Sequence, residues 1–230
     1  MSPETTARTA STGAEDVAWD LTDIYESAED PRLHSEIADA LARSLRFSAR
    51  YHGVVAQLSA TELAEAVAEL EDMEATLYRA GSFAYLSFST DTADPARGAL
   101  LQHIQEKGTE LRTTVLFFEL EWVSMDDDRA DAVLADPALD RYRHYLSSAR
   151  RYRPYVLSEP EEKIVAHKSD TGAAAWTRLF TELTSALKVR IGDEETSLEQ
   201  AQSRLQQADR EVRRQAAGAI TEALEPGLRT

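Results

Sequence analysis

Cysteine occurs at none of the 230 positions, so the chain can form no disulfide, offers no thiolate nucleophile and holds no Cys-ligated metal. That absence agrees with a reducing compartment. Long hydrophobic runs are missing as well. No stretch approaches the roughly 18 apolar residues that suggest a membrane span, and the opening MSPETTARTASTGAEDVAW lacks the apolar centre of a secretory signal. A cytoplasmic protein without membrane contact is expected. The third shortage is of positive charge: 25 Lys and Arg against 41 Asp and Glu leave a formal net charge of −16. This argues against nucleic acid as a partner, because phosphate binding draws on a Lys/Arg surface that releases counterions. A cationic ligand is electrostatically easier to accept, while the acidic balance as a whole serves solubility.

Motifs that carry chemistry are equally scarce. The five histidines stand at 34, 52, 103, 144 and 167 and none is followed by Glu, so no H-E-x-x-H zinc helix is present. His103 and Glu106 share a helical face, but a zinc site needs three protein ligands; a surface His–Glu pair is expected there. The E-x-x-H pattern of a di-iron bundle is absent. Asp126-Asp127-Asp128 lacks the spaced oxygen ligands, Gly and final Glu of a calcium loop and reads as a solvated helix boundary. There is no phosphate loop, dinucleotide fingerprint or nucleophile elbow. With 41 carboxylates, no acid/base pair can be chosen from sequence.

What the chain does have is helix punctuation. Its 43% hydrophobic and 29% charged residues suit a globular protein of one large domain or two small ones. Residues 1–14 show no apolar period and are expected to form a disordered tail, with order beginning near Trp19. Asp30-Pro31 supplies an N-cap followed by Pro at the first helical position, ahead of a stripe through Leu33, Ile37, Leu41 and Leu45 toward Tyr51. Ser59 and Glu62 spell a capping box before Leu63, Val67, Leu70, Met73 and Leu77. Asp94-Pro95 opens an unusually long segment through Leu100, Ile104, Leu111, Val115, Phe118 and Trp122, ending near Ser124. Asp136-Pro137 repeats the signal before Leu139, Tyr142 and Leu146. Ser158 with Glu161 opens another helix, and a further one beginning near Gly172 carries Trp176, Leu179, Phe180 and Leu183, spaced as a core face.

Strands are predicted in one place only. Leu187 to Ile191 alternate apolar and charged residues, Gly192-Asp193 offers a turn, and Glu194 to Leu198 would return as the second strand. Helices resume near Ser197, Asp209 caps one carrying Val212, Ala216 and Ile220, and Pro226-Gly227 ends it. No fixed-period repeat is visible. The fold class expected is mainly all-α, an irregular array of long antiparallel helices with one small β-hairpin near 187–198.

One basic and aromatic cluster interrupts the acidic field: Arg141, Arg143, His144, Tyr145, Arg150, Arg151, Tyr152, Arg153 and Tyr155. It could cradle a peptide carboxylate or a ribose-phosphate. The plainer expectation packs the tyrosines between helices and pairs the arginines with Asp140, Glu159 and Glu161.

Several segments resemble the oligoendopeptidase F family of zinc metallopeptidases, within the thimet oligopeptidase superfamily. They are Trp19 to Tyr25, Phe83 to Leu86 with Asp91-Thr92, Leu116 to Leu120, Arg151 through Leu187, and Asp209 to Arg213. The resemblance implies an N-terminal helical domain over 15–186 and, over 187–230, the hairpin and helices that begin a peptidase domain. It also implies a channel that admits short peptides, and zinc held by a downstream H-E-x-x-H helix that is not in this sequence. No catalytic, cofactor-binding or metal residue is therefore assigned here. The expected partner is the missing downstream catalytic domain, and by itself the chain is expected to be inactive. The alternative is a stand-alone helical interaction module built on the same scaffold.

Overall fold

The computed structural model describes residues 20–229; the tail expected at 1–14 and the ordering point at Trp19 lie outside them. Asp30 accepts from the Arg32 backbone N–H at 2.8 Å and opens α1 (Pro31–Tyr51). The Ser59/Glu62 capping box opens α2 (Ala60–Thr90). Asp94 starts α3 (Pro95–Ser124), and Asp126 starts α4 (Asp127–Leu134). After a 3-10 turn come α5 (Arg143–Arg150), α6 (Glu159–Thr171) and α7 (Ala173–Ser185). A two-stranded antiparallel sheet follows, β1 (Lys188–Ile191) and β2 (Glu194–Ser197), with Val189 opposite Thr196. Gly192 takes φ +63° in the turn, a left-handed value that suits glycine and fits the tight hairpin predicted. Two helices close the described chain, α8 (Leu198–Arg204) and α9 (Arg210–Leu224).

The three long helices α1, α2 and α3 pack against one another, α5 and α6 lie on α3, and α7 rests on α6. Their shared core is aromatic: Phe47, Phe117, Phe118 and Trp122 are each almost fully buried, and Phe47 meets Phe118 with ring centroids 5.4 Å apart. Removing such a side chain from water stabilises the fold by roughly 1.5–3 kcal/mol. Trp122 keeps its polar edge satisfied by donating from Nε1 to the Leu146 carbonyl at 2.9 Å, which fastens α5 to α3. A second, much smaller core gathers Val189, Leu198 and Ala201 with Ile191, Ala219 and Ile220.

Polar ties fix the connections. Glu121 on α3 accepts from the backbone N–H groups of Gly53 at 2.6 Å and Val55 at 3.1 Å, holding the loop between α1 and α2. Glu36 accepts from the Tyr25 hydroxyl at 2.8 Å and from Arg79 at 2.6 Å, which pins the entry segment to α1 and α2.

The structure corrects three sequence expectations. Leu45 is 65% exposed, because at about 100° per residue a strict step of four drifts off the face and reaches about 120° from Leu33 after three steps. The buried stripe is instead Leu33, Ile37, Ala40, Ser44, Phe47 and Tyr51. Asp136-Pro137 opens only a 3-10 turn, Pro137–Leu139. Arg143 holds that turn by donating to the carbonyls of Leu134 and Asp136, and the α-helix starts afresh behind it. The face of Trp176 is not core either: Trp176 and Phe180 are 67% and 68% exposed. No residue of α6 or α7 is buried.

Candidate functional site

One face of α2 lines a groove along its length. Between α2 and α5, a cavity of about 310 Å³ is walled by Val67, Leu70, Glu71, Glu74, Tyr142 and Tyr145, with Arg141 at its edge. Between α2, α3 and the junction of α6 with α7, a second cavity of about 630 Å³ is bordered by Glu74, Tyr78, Gly81, Tyr85, Gly108 and Arg112. Glu74 borders both. Thr109 donates to Asp170 at 3.0 Å and ties α6 to the floor that α3 provides.

Charge in the groove is uneven. Glu71 is matched: Arg141 donates to it at 2.8 and 3.0 Å and the Tyr142 hydroxyl at 2.9 Å. The Tyr142 hydrogen bond and then Arg141 hold its carboxyl below the usual range. Glu74 and Glu119 have no hydrogen-bond or ion-pair partner among the described residues. The surrounding protein strips water from Glu74 and raises its pKa; Glu119 adds to this and Arg112 opposes it. Desolvation likewise raises Glu119, with Glu162 adding like charge. Tyr145 is pushed up to about 12 by desolvation and by the charges of Glu119 and Glu74. At neutral pH its phenol is therefore protonated and can donate a hydrogen bond.

The basic and aromatic cluster divides. Arg143 pairs with Asp140 as expected, but Arg141 goes to Glu71, and Arg150 and Arg153 both go to Asp127. Glu159 turns to Lys163 at 2.6 Å and to His52 at 3.3 Å, while Glu161 serves the Ser158 cap at 3.0 Å. Tyr145, Tyr152 and Tyr155 are exposed rather than packed between helices: α5 turns only Leu146 and Ala149 into the core, and the turn Arg153–Tyr155 beyond it buries none of its residues. The His103–Glu106 pair does not form; Glu106 accepts from Gln102 one turn earlier at 2.9 Å. Asp126 and Asp127 act at a helix boundary, one as a cap and one as the arginine partner.

Sequence reasoning did not single out Glu74 or Glu119. The available signal was positional: Glu74 follows Met73 and flanks the apolar stripe between Leu70 and Leu77. The zinc implied by the resemblance does not fit the residues present. Among the described residues no three His, Asp or Glu side chains are grouped to hold a metal ion. No described helix is long and apolar enough to cross a membrane.

Comparison with known proteins gives a consistent result. The family profile described as Oligopeptidase F matches residues 121–188. Oligopeptidase PepF of Bacillus subtilis (strain 168) is 27% identical over 158 residues, 68% of this chain and 23% of that protein. Group B oligopeptidase PepB of Streptococcus agalactiae serotype III (strain NEM316) is 27% identical over 162 residues, 68% of this chain and 26% of that protein. The matches thus span about a quarter of those relatives. The crystal structure of oligoendopeptidase-F from Enterococcus faecium shares the fold with a TM-score of 0.70 at 22% identity, over 85% of this chain and 40% of that one.

Proposed function

We propose that the chain is an N-terminal portion of a peptidase of the oligoendopeptidase F type, and that it is a non-catalytic wall of a channel in which short peptides are hydrolysed. In this reading the described residues 20–186 are the helical wall, and 187–229 begin the neighbouring peptidase unit. The metal chemistry belongs to parts of the enzyme not represented in this sequence, in the cytoplasm, and the present residues contribute shape and charge.

The observation that carries this reading is the bare apolar face of α6 and α7. Ile164, Val165, Trp176, Phe180 and Leu183 are each about half exposed or more. Large apolar side chains left exposed in contiguous patches mark contact surfaces. These residues fall within the segment that matches the family profile, which suits a surface meant to meet the rest of the peptidase. The groove along α2 would then face the channel.

Incubating the purified chain with zinc and a quenched fluorescent peptide tests the assignment. No chelator-sensitive cleavage is expected, and clear metal-dependent turnover would defeat it. The rival reading is an interaction module that needs no further domain. Sizing chromatography of this chain beside a longer one that adds the peptidase part separates the two. Self-association of the shorter chain, relieved in the longer, favours the wall.

A further inference from the structure

Among the described residues, two side-chain ties fasten α6 to the helices beneath it. Glu159 at its start meets His52 at the end of α1 at 3.3 Å, and Asp170 near its end accepts from Thr109 of α3 at 3.0 Å. Past Asp170 such ties cease. Every side-chain hydrogen bond and ion pair of α7 among the described residues returns to α7 itself: Thr177, Thr181 and Thr184 donate to carbonyls one turn back, and Arg178 faces Glu182 at 3.8 Å. No α7 side chain belongs to the main core, whereas Leu187, just beyond the helix, packs on the small core around Val189. Gly172 stands between the last anchor and the first residue of α7. Under the far half of α7 the body falls away. A cavity of about 630 Å³ separates Arg178, Glu182 and Ser185 from Pro95, Gly98 and Ala99 at the start of α3, and neither Gly98 nor Ala99 has a side chain long enough to prop the gap.

We propose that Gly172 is a hinge and α7 a stiff arm that swings the β1–β2–α8–α9 unit toward and away from the start of α3. Hinges are a few element-terminal residues that absorb a change in backbone angles, and glycine has the widest range of such angles. With 13 residues at 1.5 Å rise, α7 is about 20 Å long, so a turn of about 15° at the hinge moves its far end by about 5 Å. The cavity leaves room for that movement. Little burial opposes it, since neither α6 nor α7 buries a residue. The device sets how far the molecule opens beside the turn joining α2 to α3, and it is the same for a channel wall and for a stand-alone module.

Because the chain has no cysteine, paired spin labels test the hinge without background. Gln102→Cys/Ser185→Cys spans the gap, and Gln102→Cys/Ser169→Cys stays on the body side of Gly172. The labelled 230-residue chain is diluted in unlabelled chain, so that pulsed dipolar spectroscopy reads only distances within one molecule. The first pair should give two populations about 5 Å apart, and the second a single narrow one. Gly172→Ala, whose Cβ would lie 2.6 Å from the Lys168 carbonyl oxygen, should change the ratio of the two populations about fivefold or more and leave the second pair as it was. A single population for the first pair, as narrow as that of the second, would overturn the hinge. Equal breadth in both pairs would overturn it too, by placing the motion within α6. So would a ratio that Gly172→Ala leaves unchanged, since the pivot would then lie elsewhere.

Discussion

Arg150 is the single side chain on which most depends. Its guanidinium donates to the carbonyls of Trp122 and Met125, both at 2.8 Å, pairs with Asp127, and lies over the Trp122 ring at 5.6 Å. It thereby satisfies the Met125 carbonyl just past α3 and gives the Trp122 carbonyl, which also accepts from the Met125 N–H at 3.3 Å, a second donor, and it joins that end to α4 and α5. A lysine cannot supply the fork. Arg150→Lys should cost about 2 kcal/mol in urea melts, on the scale of charged hydrogen bonds lost. Glu74 and Glu119 behave in the opposite sense. Glu74 and Glu119 have folded pKa values above their ordinary 4.5, so their favourable contribution is complete below about pH 4.5 and is lost as pH rises through the raised values. Glu74→Gln should therefore raise the melting temperature at pH 7, by no more than about 3 °C for a group this open to solvent, and the gain should vanish at pH 4. For Tyr145, held near 12 against an ordinary 10.0, the folded chain keeps a proton that the unfolded chain releases. Stability should fall between those two pH values, and Tyr145→Phe should flatten that limb. None of these roles could be read from the sequence, because each depends on groups drawn from separate helices, and one carboxylate among 41 carries no mark of its surroundings.

Elements were far more legible than sites. The Asp-Pro and capping-box signals at 30, 59, 94 and 158 each open a helix in the structure, because a cap acts on backbone groups within three residues and needs no distant partner. The hairpin was readable for the same reason. Where the reading failed, longer-range geometry decided: the drift that carries Leu45 outward, and the arginine contacts that arrest the turn after Pro137. Gly172 is the local feature with the sharpest consequence. It lies between α6 and α7 with φ −102° and ψ −109°, and a Cβ there would come within 2.6 Å of the Lys168 carbonyl oxygen. Gly172→Ala must shift the backbone of the corner, at a cost on the order of 1–3 kcal/mol. Since α6 and α7 bury no residue of their own, the damage should stay local. Limited proteolysis should cut faster between 159 and 185, while the far-UV melt of the long helices barely moves.

At the scale of the molecule, the bare face of α6 and α7 governs solution behaviour. Trp176→Ser/Phe180→Ser should reduce self-association in sedimentation velocity without loss of helicity, because neither side chain is part of either core. A drop in helicity would mean the face supports the fold itself. The sequence marked these residues as apolar and correctly spaced, but spacing reports only that a face wants cover, not whether the cover lies within the same chain.

The unequal size of the two cores has a thermal corollary. The body organised around Trp122 shares its apolar contacts among many side chains, whereas the Val189 cluster relies on a few small ones, and small units retain little surplus once chain entropy is counted. Heating should then give calorimetric and van 't Hoff enthalpies that disagree, with amides of the hairpin exchanging before those of the long helices. In that event the carboxy-terminal segment is a tenant rather than an owner of its fold, and it stays ordered at working temperature by leaning on whatever adjoins it.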